Sequence, residues 1–341
     1  MLASGFGGAE RSFVDTAIAL SRRGHEVQAI CHHKFSRIDL LTAEDGLRVD
    51  TVRTMGEWDF ITPLRIASLL KDFGSQVVHT QLKRAAWHGS RGARKVNVPV
   101  VSKLHNYVHL KRYRYVDQLL CTTADQRRHV LDAGWPTDQV SVIPNFSRLE
   151  PVQQVKARSA GGAVRLLSYG RYVKKKGFDY LLRAFRLLLD DGVHAHLMIG
   201  GQGAELDSLR RLADELSLGP DVLEMGRWLD DVKESLDLAD VFVLPSLDEP
   251  FGIVMLEAMA RGVPIVSTKT KGPVEVLNED LAYLVELASV DALYMGLSAA
   301  INDEAGTRLK ASRALQTYRD LYYEDAVLPQ IERVYQKLCD R

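Results

Sequence analysis

Residues 244–264, LPSLDEPFGIVMLEAMARGVP, set two carboxylates, Glu249 and Glu257, around a turn that leads into a helical pattern. Pro250 suits a position at or just before the first helical turn, where a missing N–H costs nothing. The amides around 251–254 then lack intrahelical partners and can meet a ligand. Glu257 falls roughly five residues into the helix, about 8 Å along its axis at ~1.5 Å per residue. One acid in the turn and one on the helix can bracket a ligand lying across the helix start. Glutamates near a helix start also simply complement its dipole, so the spacing alone carries both readings.

Two further clusters could meet an anion. Gly170-Arg171 closes an apolar run, and Lys174, Lys175 and Lys176 follow before Gly177. Arginine offers a planar fork and lysine a point charge, the combination expected around a diphosphate. A solvated basic loop is the other reading. Near the start, Gly5-Phe6-Gly7-Gly8-Ala9-Glu10 runs into a helical pattern over 11–23. Glycines let backbone approach an anion, and a helix start offers unpaired N–H groups. A tight strand-to-helix turn would use the same residues. The glycines do not fit G-x-G-x-x-G, which disfavours a nicotinamide-dependent dehydrogenase.

The elements that must position these clusters alternate. Short apolar runs at 27–31, 77–79, 98–102, 118–122 and 140–143 read as strands, with helical periodicity between them. A Gln-, Gly-, Ser- and Ala-rich stretch at 147–163 reads as a linker. A second series of strands follows at 165–169, 196–199, 222–225, 241–244, 264–267 and 283–285, with helices at 178–189, 205–216 and 252–261. Such alternation predicts an α/β protein of two doubly wound, Rossmann-like parallel-sheet domains facing a cleft. The expected boundaries are 1–150, a linker at 151–163, and 164–321. The segment 315–338 reads as helical apart from Pro329.

The 341 residues are 46% hydrophobic and 26% charged, with 44 basic and 44 acidic side chains, which excludes a disordered chain, a coiled coil and a collagen-like repeat. No apolar run reaches the ~18 residues a membrane span needs, and no signal peptide or nucleic-acid-binding motif is legible. Cys31, Cys121 and Cys339 lie far apart without metal-ligand spacing, as expected of a reduced cytoplasmic protein. Residues 1–150 carry 21 Lys and Arg against 15 Asp and Glu. Segment 83–128 holds 11 of these cations and only Asp117 and Asp125 as acids. It is either a solvated face or a surface for something anionic, such as the inner face of a cytoplasmic membrane.

EPFGIVMLE with the following AMARGVPIV resembles the E-x7-E region of retaining glycosyltransferases of family 4, which have the GT-B fold. The resemblance runs along nearly the whole chain, in family order: GGAER, SRRGHEV, VVHT, VIPN, GRYVKKKGFDYLLRAF, IGGQGAEL and ADVFVLPS. It implies that Arg171 and Lys176 clamp the diphosphate of a nucleotide-sugar donor, such as a UDP- or GDP-sugar, and offset the departing charge. Glu257 would hold the ribose hydroxyls. Glu249 would hold hydroxyls of the transferred sugar, with the amides of Phe251, Gly252 and Ile253 nearby. Gly226 and Arg227 match a loop framing the nucleobase. Gly7 and Gly8 match the loop over donor phosphate and acceptor, and His105 matches a histidine beside the transferred sugar. Asp-x-Asp occurs nowhere, so no metal or other cofactor is expected.

Transfer in the family proceeds with retention, usually attributed to front-face substitution, with a covalent route through Glu249 as its competitor. The acceptor expected is a glycan or lipid-linked glycan of lipopolysaccharide, polysaccharide or glycolipid assembly. The final helix, about 322–341, is expected to pack back on the first domain. Met1-Leu2-Ala3-Ser4 leaves almost none of the apolar strand that normally precedes the Gly-rich loop, so the first strand of that domain is expected to be missing or truncated. Pro144-Asn145-Phe146 and Ala282-Tyr283-Leu284-Val285 also depart from the family pattern. Two other functions fit the residues: nucleotide-sugar epimerisation on the same fold, and a catalytically impaired donor-binding subunit.

Overall fold

The computed structural model describes residues 1–56, 59–158, 161–229 and 231–340. Ser159 and Ala160 of the expected linker, and Arg341, lie outside the described residues. The chain divides into two compact units: Met1–Arg148 with Glu324–Arg341, and Leu149–Tyr323.

The first unit holds strands β1 (Val27–His32), β2 (Leu47–Val52), β3 (Val78–Gln81), β4 (Val100–Lys103), β5 (Gln118–Cys121) and β6 (Val140–Val142). All pair in parallel, but in two pieces: β1 with β2, and β3-β4-β5-β6 in order. β2 was not among the expected strands, because Arg48, Asp50 and Thr51 interrupt its apolar residues; only Leu47 and Val52 are buried. The first helix, Gly8–Arg22, begins three residues before the expected 11. Gly7 caps it in an extended conformation and its carbonyl accepts the Arg11 N–H at 2.8 Å. A first turn needs no intrahelical N–H partners, and Glu10 there complements the dipole, so Gly8 and Ala9 enter the helix despite weak propensity.

The Glu324–Cys339 helix belongs to this unit. Its Val327, Leu328 and Ile331 share a core with Val101, Leu120 and Ile143. Arg23 grips Glu332 through two nitrogens, at 2.8 and 3.0 Å. Pro329, expected to interrupt the helix, lies inside it. The interruption comes earlier, at the π-helical turn Tyr318–Tyr322. Proline near a helix start forfeits one backbone bond, which the packing of the residues flanking it outweighs.

The second unit is one sheet of six parallel strands: β7 (Val164–Tyr169), β8 (Ala195–Gly200), β9 (Leu223–Met225), β10 (Val241–Leu244), β11 (Ile265–Thr268) and β12 (Tyr283–Val285). Their spatial order is β12-β11-β10-β7-β8-β9. Read from β9, this is the 3-2-1-4-5-6 order of a Rossmann sheet, with its switch point between β7 and β10. β10 and β11 are buried along their whole length, as strands covered on both faces must be. One cover is the helix Phe178–Asp190, whose Phe178, Leu181, Leu182, Phe185 and Leu188 form a helical-period stripe. The helix Ile253–Ala260 is apolar nearly all round and covers the other face.

Candidate functional site

The carboxyl ends of β7, β8, β9 and β10 carry the loops that sequence singled out, and backbone contacts stitch them together. Gly177 takes φ +64°, and a Cβ there would sit 2.1 Å from the Pro245 carbonyl oxygen. Only glycine lets the lysine loop press against the chain leaving β10. The Leu247 N–H donates to the Lys175 carbonyl at 2.8 Å across the same contact. Gly201 lies equally close to the Gly170 carbonyl, where a Cβ would clash at 1.9 Å.

The central feature is a cation–carboxylate pair. Lys176 Nζ donates to Glu249 Oε2 at 2.6 Å, and the two side chains are only 15% and 12% exposed. Lys176 also lies over Gly170, its Nζ 3.9 Å from where a Cβ would be. Gly252, with φ +90°, caps the Ile253–Ala260 helix, and its missing Cβ would stand 3.2 Å from Glu249 Cγ. Glu257 is buried within that helix, and the Tyr169 hydroxyl at the end of β7 donates to its Oε2 at 2.6 Å. Thus Lys176, Glu249 and Gly252 touch, and Glu257 joins them through Tyr169, the neighbour of Gly170.

The other residues surround this group. Arg171 is exposed on the β7 loop with no ion-pair partner among the described residues. Phe251 is buried, its ring edge-on to Tyr322, so only its backbone is available to a ligand. The helix begins at Ile253, leaving Pro250 three residues ahead of it rather than next to it. Gly226 donates its N–H to the Tyr172 hydroxyl at 2.9 Å, and that hydroxyl in turn donates to the Ile199 carbonyl. The Arg227 carbonyl accepts from Gly201, while its side chain is exposed and paired with Glu224 at 3.1 Å. Tyr172 therefore ties the β7 loop to the β9 loop. Sequence reasoning passed over Tyr169 and Tyr172, whose only signal is an aromatic on each side of Gly170-Arg171.

Three expected residues belong to the first unit. Gly7 is the cap and Gly8 the first residue of the opening helix. His105 follows β4 and hydrogen-bonds Gln81 at 2.8 Å, a partner the sequence did not flag. Burial, with Lys103 and His79 nearby, holds the His105 pKa well below the ordinary imidazole range, so it is neutral at neutral pH. Lys103 is itself fully buried; its ammonium donates to the Pro144 carbonyl at 3.0 Å, and desolvation pulls its pKa down to about 7. Among the described residues no three His, Cys, Asp or Glu side chains group as metal ligands, and no helix is long and apolar enough to cross a membrane.

Two units built on parallel sheets, with a polar constellation at strand carboxyl ends, define a two-domain Rossmann-like α/β protein of the GT-B class. The chain belongs to the glycosyltransferase family 4, group 1 glycosyltransferases, and is a glycosyltransferase. Residues 6–150 match the family description "Glycosyltransferase Family 4" and residues 151–318 "Glycosyl transferases group 1". Two relatives from Rhizobium meliloti (strain 1021) align along nearly their whole length. One is the lipopolysaccharide core biosynthesis glycosyltransferase LpsE, 30% identical over 94% of this chain and 93% of that protein. The other is LpsD, of the same description, 31% identical over 94% and 92%. The crystal structure of Anabaena Alr3699/HepE in complex with UDP and glucose superposes with a TM-score of 0.82, covering 98% of both chains at 17% identity.

Proposed function

We propose that the chain transfers a hexose-type sugar from a UDP- or GDP-sugar to a glycan or lipid-linked acceptor in lipopolysaccharide core assembly, with retention and without a metal. The observation that carries this is the Lys176–Glu249 contact beside Gly170 and Gly252, with Glu257 held by Tyr169. The full-length likeness to LpsE and LpsD supports the acceptor class. The likeness to a protein solved with UDP supports the donor class.

On this reading Arg171 and Lys176 lie against the diphosphate, where charge develops as the sugar leaves. Glu257 accepts hydrogen bonds from ribose hydroxyls and Glu249 from sugar hydroxyls, with the backbone of 251–253 alongside. Arg227 and Gly226 frame the base through backbone. The acceptor oxygen bonds to the anomeric carbon as the carbon–phosphate-oxygen bond breaks, on the same face. The acceptor proton passes to the departing phosphate, so the anomeric configuration is kept. Of the first unit, the reading assigns Gly7, Gly8 and His105 to the bound substrates. A neutral His105 contributes a hydrogen bond there rather than a charge.

The same reading extends to an anionic membrane surface. In the first unit Phe60, Ile61 and Leu64 are exposed on and before the Ile61–Phe73 helix. Arg91 lies over the rings of both Phe60 and Trp87, at 5.4 and 5.1 Å. Arg114 lies over Trp87 and Tyr115, at 5.1 and 4.7 Å. Exposed apolar residues bordered by arginines suit the boundary between lipid headgroups and acyl chains.

The test is turnover with a panel of UDP- and GDP-sugars and a deacylated lipopolysaccharide core, with and without EDTA. NMR of the product reads the anomeric configuration. Transfer with retention in EDTA is expected. Donor interconversion without acceptor would instead indicate an epimerase, and nucleotide binding without turnover a binding subunit.

A further inference from the structure

β3 and β4 pair in parallel with Gln81 directly opposite Lys103. Side chains alternate along a strand and paired residues share a face, which puts His79, Gln81 and Lys103 on one side of the sheet. The Leu104 N–H still donates to the Leu120 carbonyl at 2.9 Å, so the extended pairing continues past Lys103 and brings His105 to that same side. Leu104 itself points the other way, into the core with Val100 and Leu119. Four polar side chains thus gather at one end of a face otherwise built from Val101, Leu120 and Ile143 beneath the Glu324–Cys339 helix. The carboxyl ends of parallel strands are where such sheets hold ligands.

Two of the four bond elsewhere. His79 Nδ1 lies 2.6 Å from the Tyr335 hydroxyl, and the Lys103 ammonium donates to the Pro144 carbonyl at 3.0 Å. Gln81 and His105 bond to each other: His105 Nε2 stands 2.8 Å from Gln81 Oε1. A carbonyl oxygen only accepts, so Nε2 carries the proton. Burial, with Lys103 and His79 nearby, keeps the ring neutral, and a neutral imidazole has one donor nitrogen and one acceptor nitrogen. Nδ1 is then an acceptor with no proton to give. Gln81 is only 2% exposed, so little water competes for its carbonyl.

We infer that Gln81 is a positioning residue: it holds His105 in the Nε2–H tautomer, so that Nδ1 accepts a hydrogen bond from a hydroxyl of the transferred sugar. On the proposed reading that sets His105 beside that sugar, this fixes the direction of the contact, and direction selects. An acceptor nitrogen needs a free hydroxyl opposite it. It faces an ether oxygen, a carbonyl or a carboxylate without any proton between them. A sugar oxidised or alkylated at the contacted position is therefore rejected through an unpaired buried nitrogen, over and above any difference in size. The opposite tautomer would donate to any of these oxygens and discriminate less.

Nitrogen NMR of protein labelled in its histidine rings reads the tautomer, with His105 identified by the signal that His105→Gln removes. Spectra are taken at about pH 8, above the range in which an imidazole is charged. The parent is expected to show Nε2–H, and Gln81→Glu, which keeps an oxygen acceptor, the same tautomer. Gln81→Met offers no acceptor and should leave His105 in a mixture; Gln81→Leu serves if it does not fold. With the best UDP- or GDP-sugar, Gln81→Met should lower kcat/KM about 5- to 20-fold, and Gln81→Glu should keep it within about threefold of the parent. Affinity for the bare nucleoside diphosphate should be the same in all three, since it has no sugar. Monodeoxy and monofluoro forms of that donor test direction: at one position fluorine should cost as much as hydrogen, because fluorine cannot donate. An Nδ1–H parent, or Nε2–H undisturbed in Gln81→Met, overturns the inference. So does fluorine that replaces the hydroxyl without loss at every position. If no donor turns over, the proposed function fails while the spectra still decide the role of Gln81.

Discussion

Glu249→Gln separates two roles that the Lys176–Glu249 contact combines. At an effective dielectric of about 20, unit charges ~3 Å apart attract by roughly 6 kcal/mol before desolvation. Removing both from water takes back most of this, and side chains only 15% and 12% exposed keep a net pairing on the order of 1–2 kcal/mol. A diphosphate that uses Lys176 must compete with Glu249 for it. Glutamine keeps the shape and removes the charge, so a nucleoside diphosphate, which has no sugar to lose, should bind about 5- to 30-fold tighter. Sugar transfer should fall about 10- to 100-fold, since hydrogen bonds to a carboxylate contribute roughly 1.5–3 kcal/mol. Lys176→Ala should weaken diphosphate binding and slow transfer together. Isothermal titration with UDP and GDP at fixed low salt reads the first effect and steady-state kinetics the second. If Glu249→Gln binds no tighter than the parent and Lys176→Ala no weaker, Lys176 does not meet the diphosphate.

The remaining predictions test how the fold supports the site and where the chain acts. Gly177→Ala should destabilise the second unit by more than about 3 kcal/mol in urea unfolding, because its Cβ meets the Pro245 carbonyl at 2.1 Å. Gly192→Ala, at φ +79° with nothing within 4 Å, should cost only about 1 kcal/mol. Lys103 loses its proton at about 7 in the folded protein, whereas an unfolded lysine keeps it to about 10.4. The unfolded chain therefore binds more protons across that window, and stability rises with pH there by up to ~1.4 kcal/mol per unit. Lys103→Met should flatten the rise and gain stability at pH 7, read from urea midpoints between pH 7 and 10. Arg91→Glu with Arg114→Glu should reduce sedimentation with anionic vesicles at low salt by roughly 30-fold, at ~1 kcal/mol per lost cation. Reversal that leaves vesicle binding intact would remove the membrane from the proposal.

The sequence by itself determined the α/β class, the parallel sheets and most strands, because fully buried strands such as 241–244 are short unbroken apolar runs. It also determined the family, through motifs in order along the chain. Element ends were less legible. The first helix starts at Gly8 and the last runs through Pro329, because packing and capping outweigh local propensity. β2 was hidden by Arg48 and Asp50, since a strand with solvent on one face looks like a loop when only its ends are apolar.

Only the tertiary structure decided which charges meet. Glu249 and Lys176 are 73 residues apart, and their 2.6 Å contact depends on β7 and β10 being sheet neighbours and on two glycines that let their loops touch. Tyr169 on Glu257, Tyr172 on Gly226 and Gln81 on His105 are likewise long-range hydrogen bonds. The desolvation that pulls the Lys103 pKa down to about 7 and keeps His105 neutral near pH 7 has the same origin. Periodicity reports which face of an element is buried. Which residues converge there depends on strand order, and strand order is fixed by contacts between distant parts of the chain.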